Sequence, residues 1–351
     1  MKTETHPRHV LLGATVAPAL PVCDHYCGTE PRMVKALTLQ DEMTQALGAC
    51  VFDVTLDCED GAPVGGEKEH AFMVSALAAK GLSAINSKVV TSVRRVAVRL
   101  HPVDHPAFEQ DVEIVLGDAA AAWCHVMIPK VDSAADIDRA TQVIDAALAK
   151  SRRVDPLPLH VLIESPMAVH QLARIAAHSR VESISFGLMD FVSAHGGAIP
   201  ASAMAVAESG SAAPHDQFSH PLVVRAKLEI SAACHAFGKV PSHCVVTEFK
   251  RPDVVLAAAR RASRELGFTR MWSIHPDQIR PILAAFTPEQ SEVEQASHII
   301  CQAQAAGWAP ISVSGVLHDR ASYRYYWQVL EKAHQTARLQ RQDPAYQYFT
   351  A

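Results

Sequence analysis

Short runs of β-branched and other apolar residues alternate along this chain with longer, Ala-rich amphipathic stretches. The short runs are apolar nearly throughout, which is typical of strands in a parallel sheet buried on both faces. They predict eight strands, at Val10–Val16, Val51–Asp57, Arg95–Leu100, His125–Pro129, His160–Glu164, Ser183–Gly187, Cys244–Thr247 and Met271–Ile274. The longer stretches predict helices at Pro31–Leu47, Glu67–Lys80, Ala107–Leu116, Ala134–Ala149, Met167–His178, Pro221–Phe237, Asp253–Leu266 and Pro288–Gln304.

Eight alternating strand and helix units predict the α/β class, as a (β/α)8 TIM barrel with a C-terminal helical lid extension. An open, doubly wound sheet is the alternative, but it favours a Gly-rich phosphate loop after the first strand, and GATVAPALP is not one. We expect the catalytic barrel domain to span residues 1–307 and the lid or oligomerisation extension to span 308–351. The aromatic cluster of the extension (Tyr323, Tyr325, Tyr326 and Trp327) is expected to pack in a core or an interface.

Composition narrows the class of protein. Of 351 residues 49% are hydrophobic, and the formal net charge of -5 leaves no electrostatic footprint for nucleic acid. No apolar run reaches the roughly 20 residues of a membrane span, and we interpret the apolar stretch from Val10 to Leu20 as a first strand rather than a signal peptide. The eight scattered cysteines predict free thiols in a reducing, cytoplasmic setting, with the Cys23–Cys27 spacing a coincidence within a loop.

Polar residues follow the predicted strands at the end where β/α barrels place their active sites. They are Asp57, Glu59, Asp60, Arg99, His101, Lys130, Glu164, Asp190, Glu248 and His275. Carboxylates that converge on one site repel each other unless cations intervene, and Arg99 and Lys130 supply two of these. Oxygen ligands without a His or Cys cluster favour Mg²⁺, with Mn²⁺ as an alternative, and Glu164 and Asp190 would suffice to bind it.

Several motifs at these strand ends occur together in one order. They are LDCEDGAP (56–63), EKEHA (67–71), VRLHP (98–102), MIPKV (127–131), LIESP (162–166), FGLMD (186–190), LGFTRMWSIHPDQI (266–279), FTPEQSEVEQA (286–296) and SGVLHDR (314–320). With them the chain resembles the citrate lyase β-subunit-like branch of the HpcH/HpaI aldolase superfamily, from about Val51 to Leu330.

The resemblance implies a role for individual residues. It places the metal ligands on Glu164 and Asp190, and the arginine that grips substrate oxygens on Arg99. Asp57, Glu59 and Asp60 would organise Arg99 and metal-bound water, and Lys130 would support the site electrostatically. A lid aspartate that serves a neighbouring subunit as acid or base matches Asp319, so the resemblance also implies a homotrimer or homohexamer.

Four positions depart from the family pattern near the expected substrate. The family's first strand, which begins with an arginine, helps to bind an acyl carrier; here Arg8 is followed by HVLLGATVAPALP, with Ala14 among the changed small residues. A usual asparagine is His101, a usual aspartate is His243, and a usual arginine is Phe72. We expect Arg8, Arg99 and His101 to contact the substrate, whose carbon skeleton and carrier stay open.

The functional hypothesis is a Mg²⁺-dependent carbon–carbon lyase that cleaves or forms a hydroxyacyl thioester of malyl, citramalyl or citryl type through a metal-stabilised enolate. Its partners would be a small 2-keto acid or acyl-CoA, without nucleic acid or membrane. One alternative is a class II 2-keto-acid aldolase that needs no carrier, and another is a non-catalytic regulatory barrel subunit.

Overall fold

Eight parallel strands pair in sequence order, and the last pairs with the first to close a barrel. The structure is a computed structural model that describes residues 6–13, 20–87, 94–117, 119–151, 153, 155–207 and 215–350. The barrel strands are β1 Cys23–Cys27, β2 Phe52–Asp57, β3 Val96–Arg99, β4 Trp123–Ile128, β5 Leu159–Ile163, β6 Val181–Phe186, β7 Val240–His243 and β8 Arg270–Ser273. Together with the helices that separate them, they confirm the predicted (β/α)8 TIM barrel, and helices continue into the C-terminal region.

The helices, in chain order, are α1 Pro7–Leu12, α2 Glu30–Leu47, α3 Glu67–Ser87, α4 Phe108–Leu116, α5 Ala134–Leu148, α6 Pro166–His170, α7 Leu172–Ala177, α8 Leu188–Ser193, α9 Pro221–Ala236, α10 Pro252–Arg264, α11 Ile279–Phe286, α12 Gln290–Ala305 and α13 Arg320–Gln335. Short 3-10 helices lie at Ala120–Ala122, Ala201–Met204, Pro276–Gln278 and Pro344–Phe349. Strands β9 Ile311–Val313 and β10 Val316–His318 form an antiparallel pair outside the barrel.

The prediction of a first strand at Val10–Val16 is wrong. Val10 lies in α1, which has Pro7 in its first turn and is capped by the His6 side chain, whose Nδ1 accepts the Arg8 N–H at 3.2 Å. Residues 14–16 lie outside the described residues. The first barrel strand is instead CDHYC, whose polar side chains face partners inside the protein, so its sequence lacks the apolar signature.

The seventh strand was also misplaced, since it spans Val240–His243 and ends where Cys244–Thr247 was predicted to begin. Pro241 and Ser242 interrupt the apolar pattern of this strand. Proline is also unusual within a strand, because it has no N–H to donate to the neighbouring strand. The Pro241 carbonyl still accepts the Thr269 N–H at 3.2 Å. The other six strands overlap their predicted ranges. Helix α11 was missed, and the helix predicted over Met167–His178 is two helices, α6 and α7.

A layer of ionic and histidine side chains fills the amino-terminal part of the barrel interior. Arg270 Nη2 lies 2.7 Å from Asp53 Oδ2 and 3.1 Å from Asp24 Oδ2, and all three side chains are fully buried. His160 contacts the hydroxyls of two β6 serines, and His125 stacks on it with 5.6 Å between ring centroids. Paired charges and hydroxyl partners therefore occupy a part of the barrel where branched aliphatic residues are usual.

The chain divides into two compact units. One comprises Val22–Met43 and Phe52–Phe286 and contains all eight barrel strands. The other comprises Met1–Pro21, Thr44–Val51 and Thr287–Ala351. The boundary that we predict at residue 307 stays a prediction.

The second unit has its own core, built on α12 and α13. Tyr323 and Trp327 are buried there, and Trp327 stacks on Phe349 with ring centroids 5.2 Å apart. These two members of the aromatic cluster thus pack in a core, whereas Tyr325 is exposed.

All eight cysteines are free thiols, as predicted. Cys23 and Cys27 lie on β1, so the predicted position of this pair in a loop was wrong. Burial raises the pKa of the Cys23 thiol to about 12, which keeps it protonated. Among the described residues, no helix is long and apolar enough to cross a membrane.

Candidate active site

Asp57 and Arg99 end two neighbouring strands and lie side by side in the register of β2 and β3. Arg99 Nε donates to Asp57 Oδ1 at 2.6 Å and Arg99 Nη2 donates to Asp57 Oδ2 at 3.0 Å, which is the paired geometry that a guanidinium and a carboxylate favour. Tyr26, the last but one residue of β1, donates to Asp57 Oδ2 at 2.8 Å, and its ring lies 4.6 Å below the guanidinium carbon. The position of Arg99 is therefore fixed from three strands.

The turn after β2 brings two more acids to Arg99. Glu59 Oε2 lies 2.7 Å from Arg99 Nη1, and Asp60 Oδ2 accepts from Arg99 Nη2 at 3.0 Å. The turn is tight, since a Cβ on Gly61 would meet Gly28 Cα at 2.6 Å and the Asp57 carbonyl at 2.9 Å. Glycine is therefore required where the loops after β1 and β2 cross.

Arg99 thus forms a network of ion pairs with Asp57, Glu59 and Asp60. Burial works against the charged form, but Asp57, Tyr26 and Glu59 keep the pKa of Arg99 well above its ordinary value. The guanidinium is permanently charged and held by three acids. A substrate oxygen would have to share it with them.

Lys130 joins this network to the next strand end. Its Nζ donates to Glu59 Oε1 at 2.7 Å, while its backbone N–H donates to Glu164 Oε2 at 2.6 Å. Lys130 has a φ of 51°, a left-handed conformation that costs a non-glycine residue energy. Lys130 therefore contacts two acids that follow different strands, Glu59 after β2 and Glu164 after β5.

Glu164 directly follows β5 and is almost fully buried, with 6% of its surface exposed. Its pKa is raised to about 7, chiefly by burial and also by the charges of Asp190 and Glu59, while the Lys130 N–H and Arg99 act in the opposite direction. The carboxylate packs against Gly187, where an added Cβ would lie 2.8 Å from Glu164 Cδ and closer still to Cγ and Oε1. The glycine of FGLMD therefore makes room for Glu164.

Asp190 lies in the first turn of α8, three residues after Gly187, and is exposed. Its charge raises the pKa of both Glu164 and Lys130. The mouth of the barrel thus carries Asp57, Glu59, Asp60, Glu164 and Asp190 against the two cations Arg99 and Lys130. That excess of negative charge, and an acid whose pKa is raised by its neighbours, fit a hard divalent cation with oxygen ligands.

Two buried groups in the described part of the chain also have ligand atoms within 4.8 Å of one another: Asp24, His125 and His160, and Asp53, Cys124 and His125. They belong to the ionic layer, where Arg270 already pairs with both aspartates. Both ring nitrogens of His160 face serine hydroxyls. A cation there would face a buried guanidinium, so the mouth of the barrel is the better metal site.

The remaining predicted residues lie in varied places. Arg8 and Asp319 belong to the second unit, where Arg8 Nη1 pairs with Glu331 Oε1 at 2.7 Å and Asp319 caps α13. Because α1 is not the first strand, the motif that suggested a carrier contact for Arg8 no longer applies, and its role stays a prediction. His275 stacks on Phe249 and its Nδ1 accepts the Asp277 N–H, as a loop anchor would.

The positions that depart from the family pattern differ in their surroundings. His243 is fully buried between Phe218 and Phe268, and burial lowers its pKa well below the usual value, so it is neutral. Phe72 is 53% exposed on α3. Ala14 lies outside the described residues. Tyr26 is absent from the predicted site residues because β1 was predicted at the wrong position. The signal that could have found it is a polar residue two positions after Asp24 on a buried strand.

A family model described as HpcH/HpaI aldolase/citrate lyase matches residues 37–276. An L-malyl-CoA/beta-methylmalyl-CoA lyase of Cereibacter sphaeroides is 31% identical over 235 residues, which are 65% of this chain and 73% of that one. A mitochondrial citramalyl-CoA lyase of Rattus norvegicus is 24% identical over 254 residues, or 70% and 67% of the two chains.

Solved structures extend the similarity over nearly the whole chain. A protein described as a citrate lyase from Burkholderia xenovorans LB400 has 45% identity and a TM-score of 0.79, over 97% of this chain and 99% of that one. CitE of Mycobacterium tuberculosis, solved with magnesium, acetoacetate and coenzyme A, has a TM-score of 0.61 at 19% identity over 90% and 99% of the two chains, which shows the shared fold.

The chain therefore belongs to the HpcH/HpaI aldolase/citrate lyase family. Within that family it is a carbon–carbon lyase, which confirms the predicted class of enzyme.

Proposed function

We propose that this protein is a Mg²⁺-dependent lyase that cleaves or forms the carbon–carbon bond of a hydroxyacyl-CoA thioester of malyl or citramalyl type. Glu164 and Asp190 would hold the ion, with Mn²⁺ as a substitute. One observation carries the metal assignment: Glu164 is buried, close to Asp190 and Glu59, and its pKa is raised to about 7. A buried acid of this kind gains most from a cation that replaces its proton.

The other mouth residues position charge. When bound, the divalent cation supplies the positive charge that offsets the charge developing on substrate oxygens during cleavage. Arg99, held by Asp57, Glu59 and Asp60, supplies a second fixed positive charge beside it. Lys130 keeps the Glu164 carboxylate oriented through its backbone N–H and holds Glu59 through its amine.

The thioester assignment rests on the relatives. The curated relatives quoted above are named for malyl-CoA and citramalyl-CoA, and they cover about two thirds of this chain or more. We therefore expect a CoA thioester as substrate, cleaved to a 2-keto acid and an acyl-CoA. The citryl skeleton is a further candidate of the same chemistry.

The test is a substrate panel with metal control. Malyl-CoA, citramalyl-CoA, citryl-CoA, oxaloacetate and 4-hydroxy-2-oxo acids are assayed with Mg²⁺ and with EDTA, for the wild type and for Glu164→Gln and Asp190→Asn. We expect thioester cleavage that EDTA abolishes and that each variant lowers by about a thousandfold or more. Glu265→Gln, on an exposed acid that pairs with Arg261 after α10, is the matched control and should keep wild-type activity.

Other outcomes would assign other functions. Turnover of free 2-keto acids without thioester cleavage would favour the carrier-independent aldolase. Inactivity on the whole panel, with no Mg²⁺ bound, would favour a regulatory barrel subunit. Full activity in EDTA would contradict the metal role altogether.

We further propose that the protein assembles as a homotrimer or homohexamer, in which Asp319 serves a neighbouring subunit as the proton donor to the acyl fragment. We also propose that it works in the cytoplasm. Light scattering measures the oligomer mass, and a stable monomer with full activity would contradict the role of Asp319 between subunits.

A further inference from the structure

A histidine–aspartate pair, His101 and Asp111, lies within electrostatic range of Glu59 and Asp57, two of the acids that hold Arg99. His101 follows Arg99, the last residue of β3, by two residues. His101 Nδ1 lies 2.6 Å from Asp111 Oδ2, and the His101 backbone N–H donates to the same oxygen at 3.2 Å. Asp111 belongs to α4 and is fully buried, and His101 is 5% exposed.

The geometry determines how the imidazole is used. A carboxylate accepts, so Nδ1 carries a hydrogen and Nε2 is the nitrogen that faces away from Asp111. In the part of the chain that the structure describes, no hydrogen bond engages His101 Nε2. The His105 ring stacks on the His101 ring, with their centroids 4.3 Å apart and an angle of 14° between their planes. The ring is therefore held in place with one nitrogen to offer.

The charges around His101 favour its protonated form. Burial lowers its pKa, but the hydrogen bond and charge of Asp111, with the charges of Glu59 and Asp57, outweigh burial and raise it. Glu67, at the start of α3, also lies within electrostatic range of His101 and His105. The cations on its side are Arg99, two residues away, and His105 when protonated. A cation at His101 thus meets more negative than positive neighbours.

We infer that His101, oriented by Asp111, donates a charged hydrogen bond from Nε2 to the substrate oxygen that lies beyond the metal-chelating end. The inference rests on the proposed function. In a hydroxyacyl thioester that oxygen is the thioester carbonyl. When the carbon–carbon bond breaks, its electron pair passes to the carbon next to the thioester and onto this oxygen, while the hydroxyl gives its proton to water and becomes the carbonyl of the 2-keto acid. The acyl carbon then takes up one proton, from Asp319 under the proposed function, so that no proton is gained or lost overall.

An imidazolium suits this position better than a neutral donor. Hydrogen bonds to charged groups are roughly twice as strong as neutral ones, and their strength grows as the oxygen becomes an anion. Family members with asparagine at this position would offer an uncharged amide N–H. His101 would then be a catalytic residue that is particular to this chain, and Asp111 its positioning residue.

The test compares two small ligands in the presence of Mg²⁺. L-malate carries the hydroxyl and adjacent carboxylate of a malyl group, and its second carboxylate stands where the thioester oxygen would be; glycolate has only the hydroxyl and the first carboxylate. Calorimetry between about pH 6 and pH 9, with Mg²⁺ at a concentration that saturates the site at every pH, measures both affinities for the wild type, His101→Asn and Asp111→Asn. His178→Asn, on the exposed His178–Asp138 pair, is the matched control.

For the wild type we expect the affinity for malate to fall by about tenfold or more as pH rises through the pKa of His101, while that for glycolate stays level. His101→Asn should lose this difference between the ligands, and Asp111→Asn should move the fall to lower pH. His178→Asn should match the wild type.

A His101→Asn protein that keeps the wild-type pH dependence for malate would overturn the inference. Circular dichroism and melting of each variant confirm that it is folded. If neither ligand binds the wild type in a Mg²⁺-dependent way, the proposed metal site itself fails, which separates that failure from a failure of the His101 inference.

Discussion

The backbone N–H of Lys130 donates to Glu164 Oε2 at 2.6 Å, while the amine of the same residue donates to Glu59 Oε1 at 2.7 Å. Lys130 makes both contacts while its backbone is in the left-handed conformation, with a φ of 51°. One strained residue therefore links the proposed metal ligand to the acids that hold Arg99. Strained backbone of this kind persists where the surrounding structure holds it, most often at functional sites.

Two substitutions at Lys130 distinguish the role of its amine from the cost of its backbone conformation. Lys130→Ala and Lys130→Gly both remove the amine, and both keep the N–H that Glu164 accepts. Because glycine adopts positive φ without steric cost, Lys130→Gly should be more stable than Lys130→Ala by about 1 kcal/mol. Urea denaturation measures the difference. A glycine variant that is less stable than the alanine variant would contradict the strain at this position.

Glu164 should make the metal-free protein sensitive to pH. Its pKa is raised from 4.5 to about 7, so the folded protein holds this proton more tightly than the unfolded chain does. The stabilisation is complete below about pH 4.5 and is lost as pH rises through about 7. This amounts to up to about 3 kcal/mol. Glu164→Gln cannot ionise, so without metal at about pH 8 it should be more stable than the wild type by up to that amount.

The same proton competes with the metal ion. Below about pH 7, the Mg²⁺ affinity of the wild type should rise by roughly tenfold per pH unit, and binding should release a proton. Thermal melts with and without Mg²⁺ follow both effects. Equal stabilities of wild type and Glu164→Gln from about pH 4 to pH 8, without metal, would show that Glu164 titrates normally.

We expect the ionic layer inside the barrel to contribute strongly to the free energy of unfolding. Arg270→Met leaves two fully buried carboxylates without their shared cation, which costs about 3–5 kcal/mol. Adding Asp24→Asn should recover part of the loss. The control is Arg225→Met, which removes an exposed pair with Glu229 and should cost less than about 1 kcal/mol. Similar unfolding free energies for Arg270→Met and Arg225→Met would refute a stabilising role for the layer.

Asp319 has a structural duty besides its proposed role as a proton donor. Its Oδ1 accepts the N–H groups of Ala321 and Ser322 at the start of α13. Asparagine caps helices about as well as aspartate, whereas alanine costs about 1 kcal/mol. Asp319→Asn should therefore keep the melting temperature yet lower thioester turnover by about a hundredfold or more, whereas Asp319→Ala lowers both. An Asp319→Asn enzyme of wild-type rate would leave the residue as a cap alone.

The sequence predicted the barrel and the residues at its mouth for a physical reason. Strands buried on both faces have a strong apolar signature, and their carboxyl ends meet at one edge, so Asp57, Arg99, Lys130 and Glu164 could be expected together. In the structure Asp57 contacts Arg99 and Lys130 contacts Glu164, and Glu59 joins the two pairs. Asp190 is close enough to raise the pKa of Glu164.

Other features left no such signature. Strands β1 and β7 contain polar residues or proline, and partners for these regions come from distant parts of the chain. Asp24 on β1 pairs with Arg270, and Gln278 donates to a carbonyl in the loop after β7. The pairing of Arg99 with three acids, the left-handed backbone at Lys130 and the dyad of His101 with Asp111 depend on side-chain placement. Only the folded structure shows these contacts.

Calorimetric titration of the EDTA-treated protein with Mg²⁺ and Mn²⁺, at about pH 7.5, tests the metal assignment most directly. The account predicts one site per chain in the wild type and in Glu265→Gln, and no measurable site in Glu164→Gln or Asp190→Asn. Absence of binding to the wild type, or unchanged binding to the two mouth variants, would contradict it.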